Sequence, residues 1–533
     1  MAERRCTWKD KKNILAVAIV TSSLKILLLN SYHSTDFEVH RNWLAITSNL
    51  PISRWYFEET SEWTLDYPPF FAWFEYVLSY VAYYFDKQML LIKNLNYASN
   101  NTVLFQRLSV IAGDLFLLLS LKRYVQLYNG KEKDENRKLF ILIAVLLNAG
   151  LIMVDHIHFQ YNGFLFTFLI LSITDMQKDH YLLSAFWFSI LLNFKHIFLY
   201  IAPVYFVYLL RNYCFKRNTT QTGFTAMLGV NILDLSIANL VKLGVLVLSV
   251  FGLSLGPFIY MGQFNQLLSR LFPVKRGLCH AYWAANFWAV YNSFDKLAVI
   301  TGSRLGFSLK NEQVASLTGG LVAQQKFAVL PNISPFFTAV ITVTAMLPAL
   351  LKLWYQPCKR DLFLPSLTLC AFVSFVFGYH VHEKAILMII IPLTLLSVKT
   401  VAFARVFTIL SIIGHFALFP LLHEQAETPI KILIFLLFTL CSLVSLYQIH
   451  GSSVSVIFGI PFVKWYEALY LLGLFPLYLY TSLGHWLLDF QQRLPFLPLL
   501  ITSLYCSIGV LWSWILFYRI LWIEDNTDEK KTT

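Results

Sequence analysis

The chain has 533 residues, of which 57% are hydrophobic, 17% aromatic and 14% charged, and its formal net charge is +12. Soluble proteins average about 25% charged residues, so this composition excludes a soluble globular enzyme. The seven cysteines are scattered along the chain without a CxxC pair, which indicates neither a disulfide framework nor a zinc site.

Apolar runs of roughly bilayer length recur along the chain, so we predict an all-α polytopic membrane protein. About fourteen runs meet this criterion of length: 13–29, 106–125, 139–155, 163–177, 181–197, 198–210, 236–257, 333–354, 362–380, 385–400, 402–421, 430–448, 463–482 and 497–520. The predicted organisation is an N-terminus at 1–12, an N-terminal membrane module at 13–257 that contains a loop at 30–105, a long loop at 258–332, a C-terminal membrane module at 333–520 and a tail at 521–533.

The distribution of basic residues predicts the orientation in the membrane. Five Lys/Arg precede the first apolar run, six lie in 122–138, three in 211–217 and three in 352–360. The positive-inside rule places these segments, and with them both termini, in the cytoplasm. Lys530 and Lys531 match a dilysine retrieval signal of the endoplasmic reticulum, although an ordinary solvated tail is the alternative.

Two long loops then lie on the opposite, lumenal face. The loop at 30–105 has eight Asp/Glu and four Lys/Arg, whereas the loop at 258–332 has two Asp/Glu and seven Lys/Arg. Loops of this length need structure of their own or a function. An acidic and a basic loop on one face suggest a site that removes a proton and also holds an anion.

The first candidate cluster follows the first apolar run. Asp36, Glu38 and Arg41 are expected within a few residues of the membrane surface, where a carboxylate of tuned pKa can act as a general base on a hydroxyl. The alternative is a helix start, with Ser34, Thr35 or Asp36 as N-cap and acidic residues in the first turn.

Asp66 begins a second cluster, Asp66-Tyr67-Pro68-Pro69. The two prolines exclude a helix that runs through them and hold Asp66 at a rigid turn. Such a turn can present a carboxylate to a substrate, or it can serve only as an Asx-type turn.

Further polar clusters stand at the ends of apolar runs, where ionisable residues are functional candidates by default. Amide and phenol groups suit carbohydrate hydroxyls, and cations suit phosphate oxygens. The candidates are His156, His158, Gln160, Tyr161, Asn162, Lys195, His380, His382, Glu383 and Lys384, together with Arg270 and Arg276 in the basic loop. The His-x-His pairs raise the question of zinc, but no cysteine joins them and HExxH spacing is lacking, so we predict no metal.

These residues bear on three possible functions. An enzyme that transfers a group from a lipid phosphate to a hydroxyl explains the one-sided polar clusters. A lipid transporter predicts charges near the bilayer midplane and corresponding halves, and a scaffold leaves the clusters unexplained. The sequence has no P-loop, GxGxxG or DxD-type motif, which favours an anionic donor carried in the membrane over a soluble nucleotide donor.

Several motifs, taken together, resemble the dolichyl-phosphate-glucose-dependent glucosyltransferases of the endoplasmic reticulum. The similarity runs from residue 30 to about residue 520 in unchanged order, and it is closest to the members that add the second glucose. The motifs are the run from Thr35 to Thr47, Leu65-Asp66-Tyr67-Pro68-Pro69, His156-Ile157-His158-Phe159-Gln160-Tyr161-Asn162, Arg270-Leu271-Phe272-Pro273, Arg276-Gly277 and Val381-His382-Glu383-Lys384.

The resemblance implies a C-type glycosyltransferase fold with a lumenal active site and no cofactor. It implies glucose transfer from dolichyl phosphate glucose to Glc1Man9GlcNAc2-diphosphodolichol in the endoplasmic reticulum membrane, forming an α-1,3 bond with inversion during N-glycan precursor assembly. Its general base corresponds to Asp36, with Asp66 as a supporting carboxylate and the basic clusters near the donor. Partners are then the two lipid-linked substrates and membrane lipids, without nucleic acid. The alternatives are the first-glucose transferase, acting on Man9GlcNAc2-diphosphodolichol, and a lipid-linked sugar transporter.

Overall fold

The computed structural model describes residues 8–128, 132–215, 234–272, 277–278, 284–305, 327–357, 359–451 and 454–529. Arg276, Lys530 and Lys531, on which predictions were made above, lie outside these ranges. In the described part, nearly all regular structure is helical, and its one sheet is a two-stranded hairpin in which Val456–Ile457 (β1) pairs antiparallel with Ile460–Pro461 (β2). The chain forms two compact units.

The first unit comprises Met1–Pro273, Leu353–Arg360 and Glu424–Glu427. Its α-helices are α1 Trp8–Ile26, α2 Thr35–Asn49, α3 Pro69–Phe85, α4 Asn100–Val125, α5 Glu132–Leu146, α6 Ala149–Leu151, α7 Asn162–Gln177, α8 Tyr181–Phe194, α9 Ala202–Leu209, α10 Ile237–Tyr260 and α11 Phe264–Leu271. Short 3₁₀ segments lie at Ile52–Arg54, Lys87–Leu90, His196–Ile201 and Gln425–Glu427, and π-helical segments at Ile152–Phe159 and Leu210–Cys214.

The second unit comprises Val274–Lys352, Asp361–His423 and Thr428–Thr533. Its helices are α12 Phe287–Arg304, α13 Pro335–Tyr355 (whose last three residues belong to the first unit), α14 Phe363–Phe377, α15 Leu387–Ser397, α16 Val401–Phe416, α17 Thr428–His450, α18 Trp465–Leu472, α19 Leu474–Leu479, α20 His485–Leu487 and α21 Leu497–Glu529. Glu467 on α18 is a buried junction of this unit, because it accepts hydrogen bonds from Arg405 Nη2 at 2.6 Å and from Trp512 Nε1 at 2.8 Å.

All fourteen predicted apolar runs fall on helical segments. Among the described residues, nine segments are long and apolar enough to cross a membrane: Asn100–Val125, Asp134–Phe159, His196–Cys214, Ile237–Tyr260, Pro335–Tyr355, Arg360–Phe377, Val401–Leu421, Gln425–His450 and Leu497–Trp522. Asn13–Ile26 and Tyr181–Phe194 are shorter apolar helices. The prediction of a helical membrane protein is confirmed, and the number fourteen stays a prediction.

Three helices, α4, α2 and α3, differ from what the apolar runs alone predict. The helix α4 begins at Asn100, six residues before the run predicted at 106–125, because the Ser99 hydroxyl accepts a hydrogen bond from the Thr102 N–H and caps a polar first turn. The loop at 30–105 contains α2 and α3. The two prolines mark the start of α3, with Pro68 at the N-cap and Pro69 at the first helical position. This acidic loop therefore has structure of its own.

An aromatic core holds α2 and α3 against the turn after residue 159. Phe37, Trp43, Phe71 and Phe159 are each at most 2% exposed, and Tyr161 is 3% exposed. Their rings meet edge-on, with centroids 5.3 Å apart for Phe37 and Phe159 and 5.8 Å apart for Trp43 and Phe71. Full burial of one such side chain contributes about 1.5–3 kcal/mol, so this cluster fixes the two loop helices on the membrane helices.

Three buried ionisable side chains connect α1, α4 and the π-helical segment. The Asp114 carboxylate lies 2.6 Å from Lys25 Nζ and 2.7 Å from His156 Nε2, and the three residues are 3–8% exposed. A buried charge is tolerated only when it is paired and hydrogen bonded. We call this set the Lys25–Asp114–His156 triad.

Removing one member of the triad should destabilise the protein strongly. We expect Lys25→Met to lower the free energy of unfolding by about 3–5 kcal/mol, because it leaves the Asp114 charge buried without its lysine. The measurement is thermal or denaturant unfolding of the purified protein in detergent. Lys399→Met is the control, since Lys399 pairs at 2.8 Å with Asp361, whose side chain is 87% exposed. A loss for Lys25→Met no larger than that for Lys399→Met would contradict this account.

Candidate active site

Asp36 stands in the first turn of α2. The helix begins where the sequence suggested, because the Ser34 hydroxyl is the N-cap and accepts a hydrogen bond from the Phe37 N–H at 3.3 Å. Negative charge is stabilised at a helix N-terminus, so the first turn of α2 is a suitable place for a carboxylate. Its side chain is 22% exposed, which leaves the carboxylate accessible to a hydroxyl. The helix-start and functional interpretations of this cluster are therefore compatible.

A sharp turn at residues 158–162 brings amide and imidazole groups to Asp36. Gln160 Nε2 donates to Asp36 Oδ2 at 2.7 Å, and His158 Nε2 lies 3.4 Å from the same oxygen. Between them, Phe159 has φ +90°, a conformation that costs a bulky residue about 1–3 kcal/mol and persists only when its surroundings enforce it. The strained residue lets His158 and Gln160, on both sides of it, reach one carboxylate.

The turn continues into a network that ends on a cation. Asn162 Nδ2 donates to Gln160 Oε1 and to Asp155 Oδ1, each at 2.8 Å, while Lys195 Nζ donates to Asn162 Oδ1 at 3.1 Å. Gly163 N–H donates to Asp155 Oδ2 at 2.7 Å, and a Cβ at Gly163 would collide with Asp114. The amides of Gln160 and Asn162 thus have fixed orientations, with their oxygens toward donors and their nitrogens toward carboxylates.

Tyr67 connects the Asp66 turn to this network. Lys195 Nζ lies 5.0 Å from the centre of the Tyr67 ring, a cation–π distance. Burial, followed by the negative charges of Asp66, Asp36 and Asp155, raises the pKa of Tyr67 well above its usual value. Tyr67 therefore stays a neutral phenol, and the effect of Asp66 and Asp36 on its pKa indicates that both carboxylates lie near it.

A buried pair of ionisable side chains, His40 and Glu75, connects α2 to α3. His40 Nδ1 lies 2.7 Å from Glu75 Oε1 on α3, and Glu75 is fully buried. Burial raises the pKa of Glu75, while the hydrogen bond and charge of His40 act in the opposite direction. The pair links α2 to α3 through polar groups within the aromatic core.

Glu38 and Arg41 are placed on the other side of α2 from Asp36. Arg41 Nε and Nη2 each lie 2.7 Å from a Glu38 oxygen, and Arg41 Nη1 donates to Met89 O at 2.7 Å. Residues two positions apart on a helix point in nearly opposite directions, so Glu38 does not share the Asp36 side. The structure does not bring this pair to Asp36, and it makes them a buried tie between α2 and the segment at 87–91.

The side chains of His156 and Tyr161 also make their contacts inside the protein. His156 belongs to the buried triad, and its side chain is 4% exposed. The Tyr161 hydroxyl is 2.7 Å from the Ser109 hydroxyl, and its ring lies in the aromatic core. Of the polar run at 156–162, His158, Gln160 and Asn162 reach the network around Asp36.

Arg270, predicted to hold a phosphate, lies on α11. It donates from Nε to Tyr56 O at 3.0 Å and from Nη1 to Thr64 Oγ1 at 3.4 Å, and Nη2 lies 2.5 Å from Glu59 Oε1. These contacts fasten α11 to the segment that leads to Asp66. Its role toward a phosphate stays a prediction.

The remaining predicted residues lie in the second unit. His380 has φ +51°, its N–H donates to Leu278 O at 2.9 Å, and its Nδ1 lies 2.9 Å from Gly277 O. The rings of His380 and His382 have centroids 6.3 Å apart, and His382 Nδ1 is 3.6 Å from the buried Glu383 carboxylate. Lys384 follows on the same 3₁₀ segment, Glu383–Ile386.

Arg107 is a buried residue at this site that the sequence analysis missed. Its guanidinium donates to His156 O at 2.7 Å, Ile157 O at 2.9 Å and Tyr32 O at 2.9 Å. The available signal was an arginine inside the apolar run predicted at 106–125, since ionisable residues within such runs are functional candidates. Tyr67 was also missed, although it stands directly after Asp66.

The site combines a part-exposed carboxylate, oriented by an amide and an imidazole, with a nearby lysine. Such a constellation can accept a proton from a hydroxyl while the cation faces developing negative charge. The model of the ALG6, ALG8 glycosyltransferase family matches residues 21–517, which is more than nine-tenths of the chain. The chain belongs to this family.

Curated relatives of this ALG6, ALG8 family chain extend over nearly its full length. Proteins named dolichyl pyrophosphate Glc1Man9GlcNAc2 alpha-1,3-glucosyltransferase are similar to it at 48% identity in Bos taurus and 49% in Mus musculus, covering 97% and 94% of both chains. The protein of that name in Schizosaccharomyces pombe is 46% identical over 95% of this chain and 97% of its own. The resemblance drawn from the motifs, and the prediction of a glycosyltransferase, are confirmed.

Gln160 provides a test of the network in this family member. We expect Gln160→Ala to lower kcat for glycosyl transfer by about 10- to 100-fold, because a hydrogen bond to a charged group is worth about 1.5–3 kcal/mol. Asn49→Ala is the control, since the Asn49 amide donates to Ala45 O and Leu90 O at the far end of α2. Equal kcat values for the two variants would contradict a role of Gln160 at Asp36.

Proposed function

We propose that this chain transfers glucose from dolichyl phosphate glucose to Glc1Man9GlcNAc2-diphosphodolichol, forming an α-1,3 bond on the lumenal side of the endoplasmic reticulum membrane. The observation that carries the proposal is Asp36, which is part-exposed at a helix N-terminus and oriented by Gln160 and His158. The substrate class rests on the printed names of relatives that match nearly the whole chain. The reaction is a step of N-glycan precursor assembly.

Direct displacement accounts for the residues at the site. Asp36 takes the proton of the acceptor hydroxyl as its oxygen forms a bond to the anomeric carbon of glucose. The bond from that carbon to the phosphate oxygen breaks, and dolichyl phosphate departs with the electron pair. Because the departing phosphate is already a stable anion, this reaction needs a base and a cationic environment rather than a general acid. One displacement on a β-linked donor gives the α-linked product.

Two groups in the first unit suit supporting roles. Lys195 is held by Asn162 Oδ1 and the Tyr67 ring, so its ammonium group has a defined position near developing negative charge. Asp66 is then a supporting carboxylate that orients the acceptor or its neighbours. Arg270, Arg276, His380, His382, Glu383 and Lys384 remain candidates for holding the sugar and phosphate of the donor.

The lumenal position of the site and the cytoplasmic position of both termini are supported by charge. The segments at 122–138 and 211–217 hold nine Lys/Arg together, and they lie on the cytoplasmic side in the proposed topology. Asp36 follows the first apolar helix directly, so it emerges on the opposite side. The lipid-linked acceptor would meet the base there.

Glycosyl transfer by the purified protein tests this function. With dolichyl phosphate glucose as donor, we expect transfer to the Glc1Man9GlcNAc2-diphospholipid and not to the Man9GlcNAc2-diphospholipid. Asp36→Asn should lower kcat by about 10²- to 10⁴-fold, the usual contribution of a general base. Product formation is followed by mass spectrometry of the released oligosaccharide.

Asp86→Asn is the matched control for this experiment. Asp86 lies in the same loop, and hydrogen bonds from Ser99, the Gln88 N–H and Tyr97 lower its pKa against the opposing effect of burial. It should retain the wild-type kcat. Transfer to the unglucosylated acceptor would assign the first-glucose reaction instead. Full activity of Asp36→Asn would move the base to Asp66, and inactive wild-type protein would favour a transporter.

An engineered glycosylation site tests the orientation. Glu58→Asn creates an Asn-Glu-Thr acceptor sequence in an exposed segment of the acidic loop, where Glu59 and Thr60 are exposed. We expect this variant to gain a glycan that endoglycosidase removes, visible as a mobility shift. The natural sequence Asn218-Thr219-Thr220, in the segment predicted to be cytoplasmic, is the internal control and should stay unmodified. A glycan on Asn218 and none at residue 58 would reverse the topology.

A further inference from the structure

We propose that Arg107 is a positioning residue that holds the turn at 156–160 against the segment at 31–34 and thereby places Gln160 and His158 on Asp36. The inference rests on the proposed function for its catalytic consequence. Its physical basis is separate, because it concerns how two distant segments of the first unit are joined.

Arg107 is 2% exposed, and its guanidinium donates hydrogen bonds to both segments. Its Nη1 donates to His156 O at 2.7 Å and Ile157 O at 2.9 Å, and its Nη2 donates to Tyr32 O at 2.9 Å and Ser31 O at 3.4 Å. A planar guanidinium carries its donors in a fixed fork, so it sets the spacing between two pairs of carbonyls. A lysine ammonium is a point charge on a flexible stem and cannot reproduce that spacing.

The carbonyls that Arg107 holds lie next to the residues that contact the base. Ile157 directly precedes His158, and Tyr32 lies two residues before the N-cap Ser34. Two further contacts close the same joint: the Ser34 hydroxyl donates to His158 O, and the Tyr32 hydroxyl lies 2.8 Å from His158 Nδ1. Replacing the arginine should therefore shift both segments that surround Asp36, the chain at 31–34 and the turn at 156–160.

The backbone at Phe159 requires such a support. Phe159, with φ +90°, lies two residues after Ile157, whose carbonyl Arg107 holds. The guanidinium also packs against the rings of Phe37 and Phe159, with its carbon 5.8 Å from each ring centre. The buried carboxylate of Glu427 accepts from the Tyr32 N–H at 2.9 Å and supplies a negative charge that interacts with Arg107.

The test compares Arg107→Lys with Arg123→Lys. Arg123 lies on the same helix, α4, and forms an ion pair with the buried Asp175 away from the 156–160 turn. We expect Arg107→Lys to fold, to lower kcat by about 10- to 100-fold and to leave KM for both substrates nearly unchanged. Arg123→Lys should retain the wild-type kcat. Wild-type kcat in folded Arg107→Lys would overturn the proposal.

A double-mutant cycle separates positioning from general stability. In a Gln160→Ala background, Arg107→Lys should lower kcat by a clearly smaller factor than it does in the wild-type background, because the Gln160 hydrogen bond is already lost and only the His158 contact with Asp36 remains to be disturbed. An independent effect of Arg107 on kcat, equal in both backgrounds, would overturn the proposal. If Arg107→Lys does not accumulate, Ser34→Gly carries the test, since glycine is nearly as good an N-cap but lacks the hydroxyl held on His158 O. Ser34→Gly should lower kcat without raising KM. A wild-type kcat would contradict a catalytic role for the contact between the segments 31–34 and 156–160.

Hydrogen exchange gives a readout that does not depend on the reaction. The amides of residues 158–163 should exchange faster in Arg107→Lys than in the wild-type protein. In Arg123→Lys their exchange rates should equal those of the wild type. If the wild-type protein transfers no glucose, the proposed function fails, yet this exchange pattern still decides whether Arg107 holds the turn. Unchanged exchange at 158–163 in Arg107→Lys would overturn the inference whatever the activity.

Discussion

The turn at residues 156–162 depends on one buried guanidinium that satisfies four backbone carbonyls. In apolar surroundings, carbonyls at the end of a helical segment need donors, and Arg107 supplies them to the end of the π-helical segment and to the chain entering α2. The strained backbone of Phe159 and the contacts of Gln160 and His158 with Asp36 follow from that joint. Membrane helices that are distant in sequence thus converge on one carboxylate.

Exposure distinguishes Asp36 from the neighbouring carboxylates. Asp114 is paired with Lys25 and hydrogen bonded to His156, Glu38 is paired with Arg41, and Glu75 is hydrogen bonded to His40. These carboxylates are buried, and their contacts with their partners hold helices together. Asp36 contacts an amide and an imidazole, and it keeps part of its surface accessible. A base needs both orientation and access.

Sequence reasoning predicted much of this arrangement and missed specific parts of it. The apolar runs located the membrane helices, the residue types at 34–36 offered a helix start, and the prolines at 68–69 excluded a helix through the Asp66 turn, because length, capping and proline chemistry are local properties. Glu38 and Arg41 were grouped with Asp36 by proximity in sequence, whereas the phase of α2 turns them to its other side. Arg107 and the φ of Phe159 depend on contacts between residues far apart in the chain, which no local pattern reports. The assignment of His382 and Lys384 to the donor rests on residue type, on position at the end of an apolar run and on the resemblance.

The most direct test of the central claim is an experimental structure of the protein with a lipid-linked acceptor and an unreactive analogue of dolichyl phosphate glucose. The account predicts that the attacking hydroxyl of the acceptor lies within about 2.6–3.2 Å of an Asp36 oxygen, with Gln160 still bonded to that carboxylate. An acceptor hydroxyl that instead contacts Asp66, with Asp36 remote from both substrates, would contradict it.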